Sequence, residues 1–155
     1  MVFDIKWEYE IRKLSSDFFL SYPKSKYPEI LTKQSRSYDV IIFETYNNYY
    51  VCVPFRSHIR HRWGKILRPS PDQHGIDYSK MIIIKDENYI DSLSIIDSAE
   101  MAAFRSNIAT IHKEVFEYLN TYINHVNGTN PIPQKSFDRK YGKSTWPYFH
   151  EQLGL

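Results

Sequence analysis

The chain of 155 residues has a single cysteine, Cys52, so an internal disulfide and a cysteine-based zinc site are both excluded. A lone thiol fits a reducing compartment. Glycine is scarce at five, and the five cannot be assembled into a Gly-x-Gly-x-x-Gly turn or a Gly-Lys-Ser/Thr phosphate loop. Dinucleotide binding and Walker-type ATP hydrolysis are therefore not expected. No stretch approaches the roughly 20 apolar residues that cross a bilayer. Met1 to Leu14 alternates charged with apolar residues, unlike a signal peptide. Internal repeats and low-complexity segments are absent as well. A small soluble cytoplasmic protein with no membrane partner is expected. One further absence is local: no acidic residue occurs between Glu44 and Asp72, although the net charge of the whole chain is only +2.

What is abundant is aromatic surface, with 13 Tyr, 9 Phe and 3 Trp. Tyrosine joins an apolar ring to a hydroxyl and suits a wet, stacking surface as well as a core. The length suits one domain, and the order of signals gives its class. Tyr38 to Tyr46 and Tyr49 to Phe55 are rich in β-branched and aromatic residues. Asn47-Asn48 between them tolerates the positive φ angles of a tight hairpin. Met81 to Ile84 reads as a buried strand. Ser15 or Ser16 can cap a short helix through Phe19, closed by Tyr22-Pro23. A helix start is expected near Ser98. From Asn107 onward Ile108, Ile111, Val115, Leu119, Tyr122, Ile123 and Val126 recur at spacings of three and four, one apolar helical stripe ending at Gly128. Residues 127–136 read as a Pro-containing connection, and a last short helix is expected from Thr145 to Gly154. Strands first and helices afterwards predict an α+β domain.

Chemistry concentrates where acid is missing. Arg56, His58, Arg60, His61, Arg62, Lys65 and Arg68 follow the hairpin directly, a position that predicts a loop or strand end projecting from a rigid sheet. Arginine forks match phosphate oxygens, and several on one loop make an anion site. Interleaved Tyr and Trp63 can stack unpaired bases. A solvated basic loop with no ligand is the plain alternative. His58 and His61 do not make a metal site in this setting, because Arg56, Arg60 and Arg62 oppose a divalent cation and no carboxylate accompanies them. Neither a metal nor a cofactor is expected. RNA brings its own nucleophile, the 2′-hydroxyl, so a base, an acid and cations suffice. Histidine serves near neutral pH as either proton partner. Ser57 is read as a hydrogen-bonding group for the scissile phosphate or 2′-hydroxyl, or as a turn residue bonding its own backbone. Cys52 is expected to be buried packing, His112 and His125 surface or packing residues, and His150 a helix anchor or a site wall.

Several ordered motifs resemble the TenpN family of type III toxin–antitoxin toxins. These are Tyr27-Pro28-Glu29-Ile30-Leu31-Thr32-Lys33-Gln34 with Arg36-Ser37-Tyr38, then Pro54-Phe55-Arg56-Ser57-His58-Ile59-Arg60-His61. Gly75-Ile76-Asp77-Tyr78-Ser79-Lys80, Asp86-Glu87-Asn88-Tyr89-Ile90-Asp91, and Ser144-Thr145 with Tyr148-Phe149-His150 continue the pattern. The resemblance spans residues 14–150, with ToxN and AbiQ as more distant relatives. It implies a compact, strongly twisted antiparallel sheet, barrel-like and flanked by helices, similar to the MazF and Kid toxins. It also implies metal-independent endoribonuclease activity, a cellular or phage RNA substrate, and restraint by a small structured antitoxin RNA made from tandem repeats, in a higher-order assembly with a phage-defence role. Ser57 is the position the motif carries over most directly, with Arg56 and His58 beside it as catalytic candidates. Where the ToxN pattern has a hydroxyl, Pro and Lys, this chain has Arg56, His58 and Arg60, so the base is not assigned by resemblance. The expected RNA groove is walled by Arg60, His61, Arg62 and Lys65, with Lys33, Arg36, Tyr38 and Lys80 reaching in. A non-catalytic RNA-binding module using the same loop is the alternative expectation.

Overall fold

The structure, a computed structural model, describes residues 4–32 and 38–155; Lys33, Arg36 and Ser37 lie outside the described residues. The expected hairpin is its centre. Strands β2 (Asp39–Thr45) and β3 (Tyr50–Arg56) pair in the register Val40–Pro54 to Glu44–Tyr50. Asn48 takes the positive φ of 63° that closes the turn, and the Thr45 hydroxyl donates to the Tyr49 carbonyl at 2.7 Å. Every residue from Val40 to Phe43 and from Val51 to Phe55 is buried, so this hairpin is covered on both faces.

Strand β1 (Ile5–Leu14) adds to the free edge of β2, and β7 (Ile90–Leu93) adds to β1. The alternation of charge with apolar residues near the N-terminus is thus the period-two pattern of a half-buried strand. On the far side of β3 lie β4 (Gly64–Arg68), β5 (His74–Asp77) and β6 (Ile82–Ile84). The antiparallel order is β4-β5-β3-β2-β1-β7, with β6 also on β3. It forms a curled half-barrel flanked by helices, an α+β fold.

The helices follow their expected positions with one addition. Helix α1 (Ser16–Ser21) is capped by the Ser15 side chain, which accepts from the Phe18 N–H at 3.4 Å. Helix α2 (Ser98–Ser106) starts at Ser98, but the capping carboxylate is Asp97. On α3 (Ile108–Val126) the apolar stripe is buried at Ile111, Val115, Leu119, Tyr122 and Ile123. His112, on the same helix, donates through Nε2 to the Ile5 carbonyl at 2.9 Å and stacks on Trp7, which pins α3 to β1. Part of the expected connection is instead helix α4 (Gln134–Tyr141). Pro131 and Pro133 read as a loop in sequence, but a proline at a helix start gives up no needed hydrogen bond. A 3-10 turn at Trp146–Phe149 and α5 (His150–Leu153) close the chain, with Gly154 at φ 72°.

The feature that positions the site is a break between β5 and β6. β3 pairs with β6 through Tyr50–Cys52 and with β5 through Phe55–Arg56. Between them Tyr78–Lys80 turns as a 3-10 helix opposite Val53 and Pro54, and Pro54 has no N–H to give a ladder. The orphaned backbone groups find other partners. The Tyr78 N–H donates to the Trp63 carbonyl at 2.9 Å, and the Thr145 N–H donates to the Ser79 carbonyl at 3.0 Å. The Thr145 hydroxyl reaches the Met81 carbonyl, and the Trp146 indole N–H donates to the Tyr78 carbonyl at 3.3 Å. The C-terminal segment therefore clamps the break.

Two positions test this arrangement. A Cβ on Gly75 would stand 2.0 Å from the Lys65 carbonyl oxygen, backbone that cannot swing aside. Gly75→Ala should cost about 2–3 kcal/mol in urea unfolding, as overpacking of a tight contact does; an unchanged midpoint would mean β4 and β5 do not approach this closely. His150 Nε2 shares a 2.6 Å hydrogen bond with the Tyr122 hydroxyl, and burial lowers its pKa from the ordinary 6.5. Its contribution to stability is complete above the unfolded value of about 6.5 and is lost as pH falls toward the lower folded value. Wild type should therefore lose stability relative to His150→Gln as pH drops from about 7 to 5. Parallel curves for the two proteins over that range would exclude the effect.

Candidate functional site

At the end of β5, directly before the break, Asp77 is fully buried. One carboxylate oxygen accepts from the Ser79 N–H at 3.0 Å and from the Ser79 hydroxyl at 2.6 Å, which caps the 3-10 turn. The other accepts from the Arg56 guanidinium at 2.7 Å and lies 3.0 Å from His61 Nε2. His61 Nδ1 accepts from the Trp63 N–H at 3.0 Å, so the ring proton is on Nε2 and is donated to Asp77. With both nitrogens engaged, His61 is a brace that folds the basic loop back onto β5. Arg56 keeps 31% of its side chain open, and its remaining N–H groups can meet an anion.

The Tyr38 ring is buried against Phe19, and burial raises its pKa, with the Asp77 charge adding to the rise and Arg56 opposing it. The Tyr38 hydroxyl has no hydrogen-bond partner among the described residues. Tyr38 is thus buried, within electrostatic reach of Asp77 and Arg56, and does not reach into a groove as the sequence reading expected; Asp77 entered that reading only as part of a motif.

Beyond Arg56 the chain turns sharply. His58 has a φ of 58°, the left-handed region that costs a non-glycine residue about 1 kcal/mol or more. Its N–H donates to the Asp72 carbonyl at 2.6 Å, and the Ile59 N–H donates to the Gln73 carbonyl at 3.4 Å, so the loop after β4 holds this conformation. In that pose His58 Nδ1 is 3.1 Å from the Ser57 hydroxyl, and Nε2 is 3.5 Å from an Asp72 carboxylate oxygen. Ser57, His58 and Asp72 form a hydroxyl–imidazole–carboxylate line that sequence order did not suggest. The Asp72 contact is longer than a hydrogen bond and both side chains are exposed, so it favours a protonated imidazole without fixing the tautomer of the neutral ring.

The remaining candidates separate. Arg60 donates to the Gln73 side-chain oxygen at 2.8 Å, a neutral partner that leaves its charge intact. Arg62 lies over the Trp63 ring at 4.7 Å, and Lys65 is half-buried on β4. Lys80 is different. Its ammonium donates to the Lys143 carbonyl at 2.7 Å and to Glu29 at 3.3 Å, and 11% of the side chain is accessible. It holds the protein together and does not face solvent as the sequence reading expected. The acid-free stretch is also less bare than it reads, because Asp72 and Asp77 fold back onto it.

Other histidines serve packing: His125 Nδ1 accepts from the Ile132 N–H at 3.1 Å and its ring stacks on Phe137. Cys52 is buried in β3 and burial pushes its thiol pKa up, so it is not a nucleophile. Among the described residues no three His, Cys, Asp or Glu side chains gather as a metal-ligand set. A cleft of about 440 Å³ is lined by Glu8, Glu10, Glu44 and Glu87 over Tyr9 and Ile42, with Arg12, paired to Glu10, as the one basic residue among the described residues of its lining. No helix among the described residues is long and apolar enough to cross a membrane. No family model, curated protein or solved structure matches the chain. What the site can do rests on its own geometry.

Asp77→Asn tests the hub. The amide keeps the shape but has one acceptor oxygen, so its NH2 meets either Arg56 and His61 or the Ser79 N–H donor to donor, and a charge partner inside the protein is lost. A destabilisation of about 3 kcal/mol is expected in urea unfolding. A loss below about 0.5 kcal/mol, within the range of ordinary surface changes, would mean the buried pair does not organise this region.

Proposed function

We propose that the chain is a metal-independent endoribonuclease, the toxin of a type III toxin–antitoxin system, acting in the cytoplasm. The observation that carries this reading is the Ser57–His58–Asp72 line beside an arginine held by a buried carboxylate. RNA supplies the nucleophile. His58 accepts the proton of the 2′-hydroxyl as the Ser57 hydroxyl turns from its ring to the phosphate, and the 2′-oxygen attacks the adjacent phosphorus while the bond to the 5′-oxygen breaks. The products are a 2′,3′-cyclic phosphate and, once the leaving oxygen is protonated, a 5′-hydroxyl. Arg56 donates to the oxygens that gain charge in the transition state, in a geometry Asp77 has already set. Ser57 donates its one hydroxyl proton to the reacting phosphate. Asp72 stabilises the imidazolium that forms. Arg60, Arg62 and Lys65 hold the backbone on either side.

The resemblance to the TenpN family supports the rest of the proposal. An antitoxin RNA made from tandem repeats occupies the same cationic surface and keeps the enzyme silent, in a toxin–RNA assembly that releases it during phage infection. A groove that cuts the repeat precursor also retains the excised unit.

Purified protein incubated with cellular RNA should yield discrete fragments in the presence of EDTA, ending in 2′,3′-cyclic phosphate and 5′-hydroxyl. Ser57→Ala should lower the rate about 100-fold or more, the cost of one transition-state hydrogen bond, while the protein stays folded and still binds antitoxin RNA. Cleavage abolished by chelator, or a 5′-phosphate product, would exclude this mechanism. Intact but retarded RNA would identify a binding module instead.

A further inference from the structure

Lys140 stands at the end of α4, far in sequence from the basic loop, and yet beside it in space. Its ammonium lies 5.0 Å from the Tyr118 ring centre and 5.7 Å from those of Tyr141 and Trp63. The cage is built by backbone as well as by rings. The Tyr118 hydroxyl donates to the Lys140 carbonyl at 2.7 Å, and the Tyr141 hydroxyl donates to the Tyr118 carbonyl at 2.7 Å, so α3 and α4 are stitched at this residue. Trp63, the third wall, also carries Arg62 at 4.7 Å, which makes one indole the meeting point of a loop cation and a helix cation.

Lys140 has no carboxylate within ion-pair distance among the described residues; Glu117, the acidic group that acts on it, pairs with Lys113. Aromatic faces hold a cation in place but do not neutralise it, since their attraction is to the ring quadrupole. Partial burial lowers the Lys140 pKa, the response of an ammonium short of counter-charge. A half-buried cation held rigidly beside a cationic loop lacks only an anion.

We propose that Lys140 is an RNA-binding residue, its caged ammonium contacting a phosphodiester of the strand that passes over Arg62 and Trp63. The track therefore leaves the loop across Trp63 and continues onto the end of α4. This rests on the RNA-cleaving reading above, and deepens it by giving the substrate strand a direction.

The probe is a short mixed-sequence RNA with 2′-O-methyl sugars, which keeps every phosphate but has no 2′-hydroxyl to react. Lys140→Met retains a long apolar stem for the cage and removes the charge; Lys140→Arg retains the charge. Lys140→Met should bind the probe roughly 3- to 10-fold more weakly at low salt, with the slope of log affinity against log salt reduced by about 0.7. Lys140→Arg should stay close to wild type in both. In the wild-type protein, acylation of Lys140 by a limiting amine reagent should fall when the probe is bound. An unchanged slope in Lys140→Met, while Arg60→Ala/Arg62→Ala reduces it, would overturn the proposal and leave the function standing. A loss of thermal stability in Lys140→Met without a change of slope would make Lys140 a packing residue, and undiminished acylation in the complex would likewise overturn its contact with RNA. Wild-type protein that binds the probe but cuts no natural RNA would overturn the cleavage reading and leave Lys140 in place.

Discussion

The buried carboxylate of Asp77 is the constraint on which this molecule's organised surface depends. One of its oxygens ends a strand by capping the 3-10 turn at Tyr78–Lys80, and the other gathers Arg56 from β3 and His61 from the loop. Removing a carboxylate from water is expensive, and the cost is offset only when its lone pairs are matched by donors of good geometry. Here the match is made by groups from separate segments of the chain. Each donor is thereby held in position by the penalty of leaving the charge unpaired.

That hub explains features that look unrelated in sequence. The break in the sheet opposite Pro54 exposes backbone groups that strand pairing would have satisfied. Thr145 and Trp146 satisfy them from the other end of the chain. Gly75 lets the β4 backbone come close enough for the hairpin to seat beside Arg56. The loop from Ser57 to Trp63 is then anchored at both ends, and His58 is driven into a conformation that a free loop would not keep. Strain of this kind persists only where surroundings over-determine it, which is why it points to a site.

Electrostatics along the loop is graded. Arg56 and His61 are paired with Asp77, His58 faces Asp72, and Arg60 is bonded to a neutral amide. Arg62 and Lys140 are held by rings instead of carboxylates. The two kinds of partner do different work. Carboxylates fix the direction of a side chain and offset part of its charge, leaving the other N–H groups of Arg56 free to donate, whereas rings orient a cation without neutralising it.

Local pattern was sufficient for much of this fold. The β2–β3 hairpin, its Asn47-Asn48 turn, the cap at Ser15 and the stripe along α3 are visible in the sequence because each depends on neighbours a few residues away. The cationic segment and Ser57 were legible for the same reason. Strands β4 and β5 were not: they are five and four residues long, and β4 joins the sheet only by pairing with β5, which pairs with β3. Nor was α4, whose prolines mimic a loop. Partners at long range were beyond local pattern. Asp72 and Asp77 close the acid-free gap, Lys80 is drawn inward by Glu29 and Lys143, and Lys140 arrives beside Trp63 from the opposite end of the chain. Sequence alone determined which residue types could handle a phosphate, because that is a property of side-chain chemistry. Which of them are braced, neutralised or left open was decided by tertiary structure, because desolvation and pairing act through space and not along the chain.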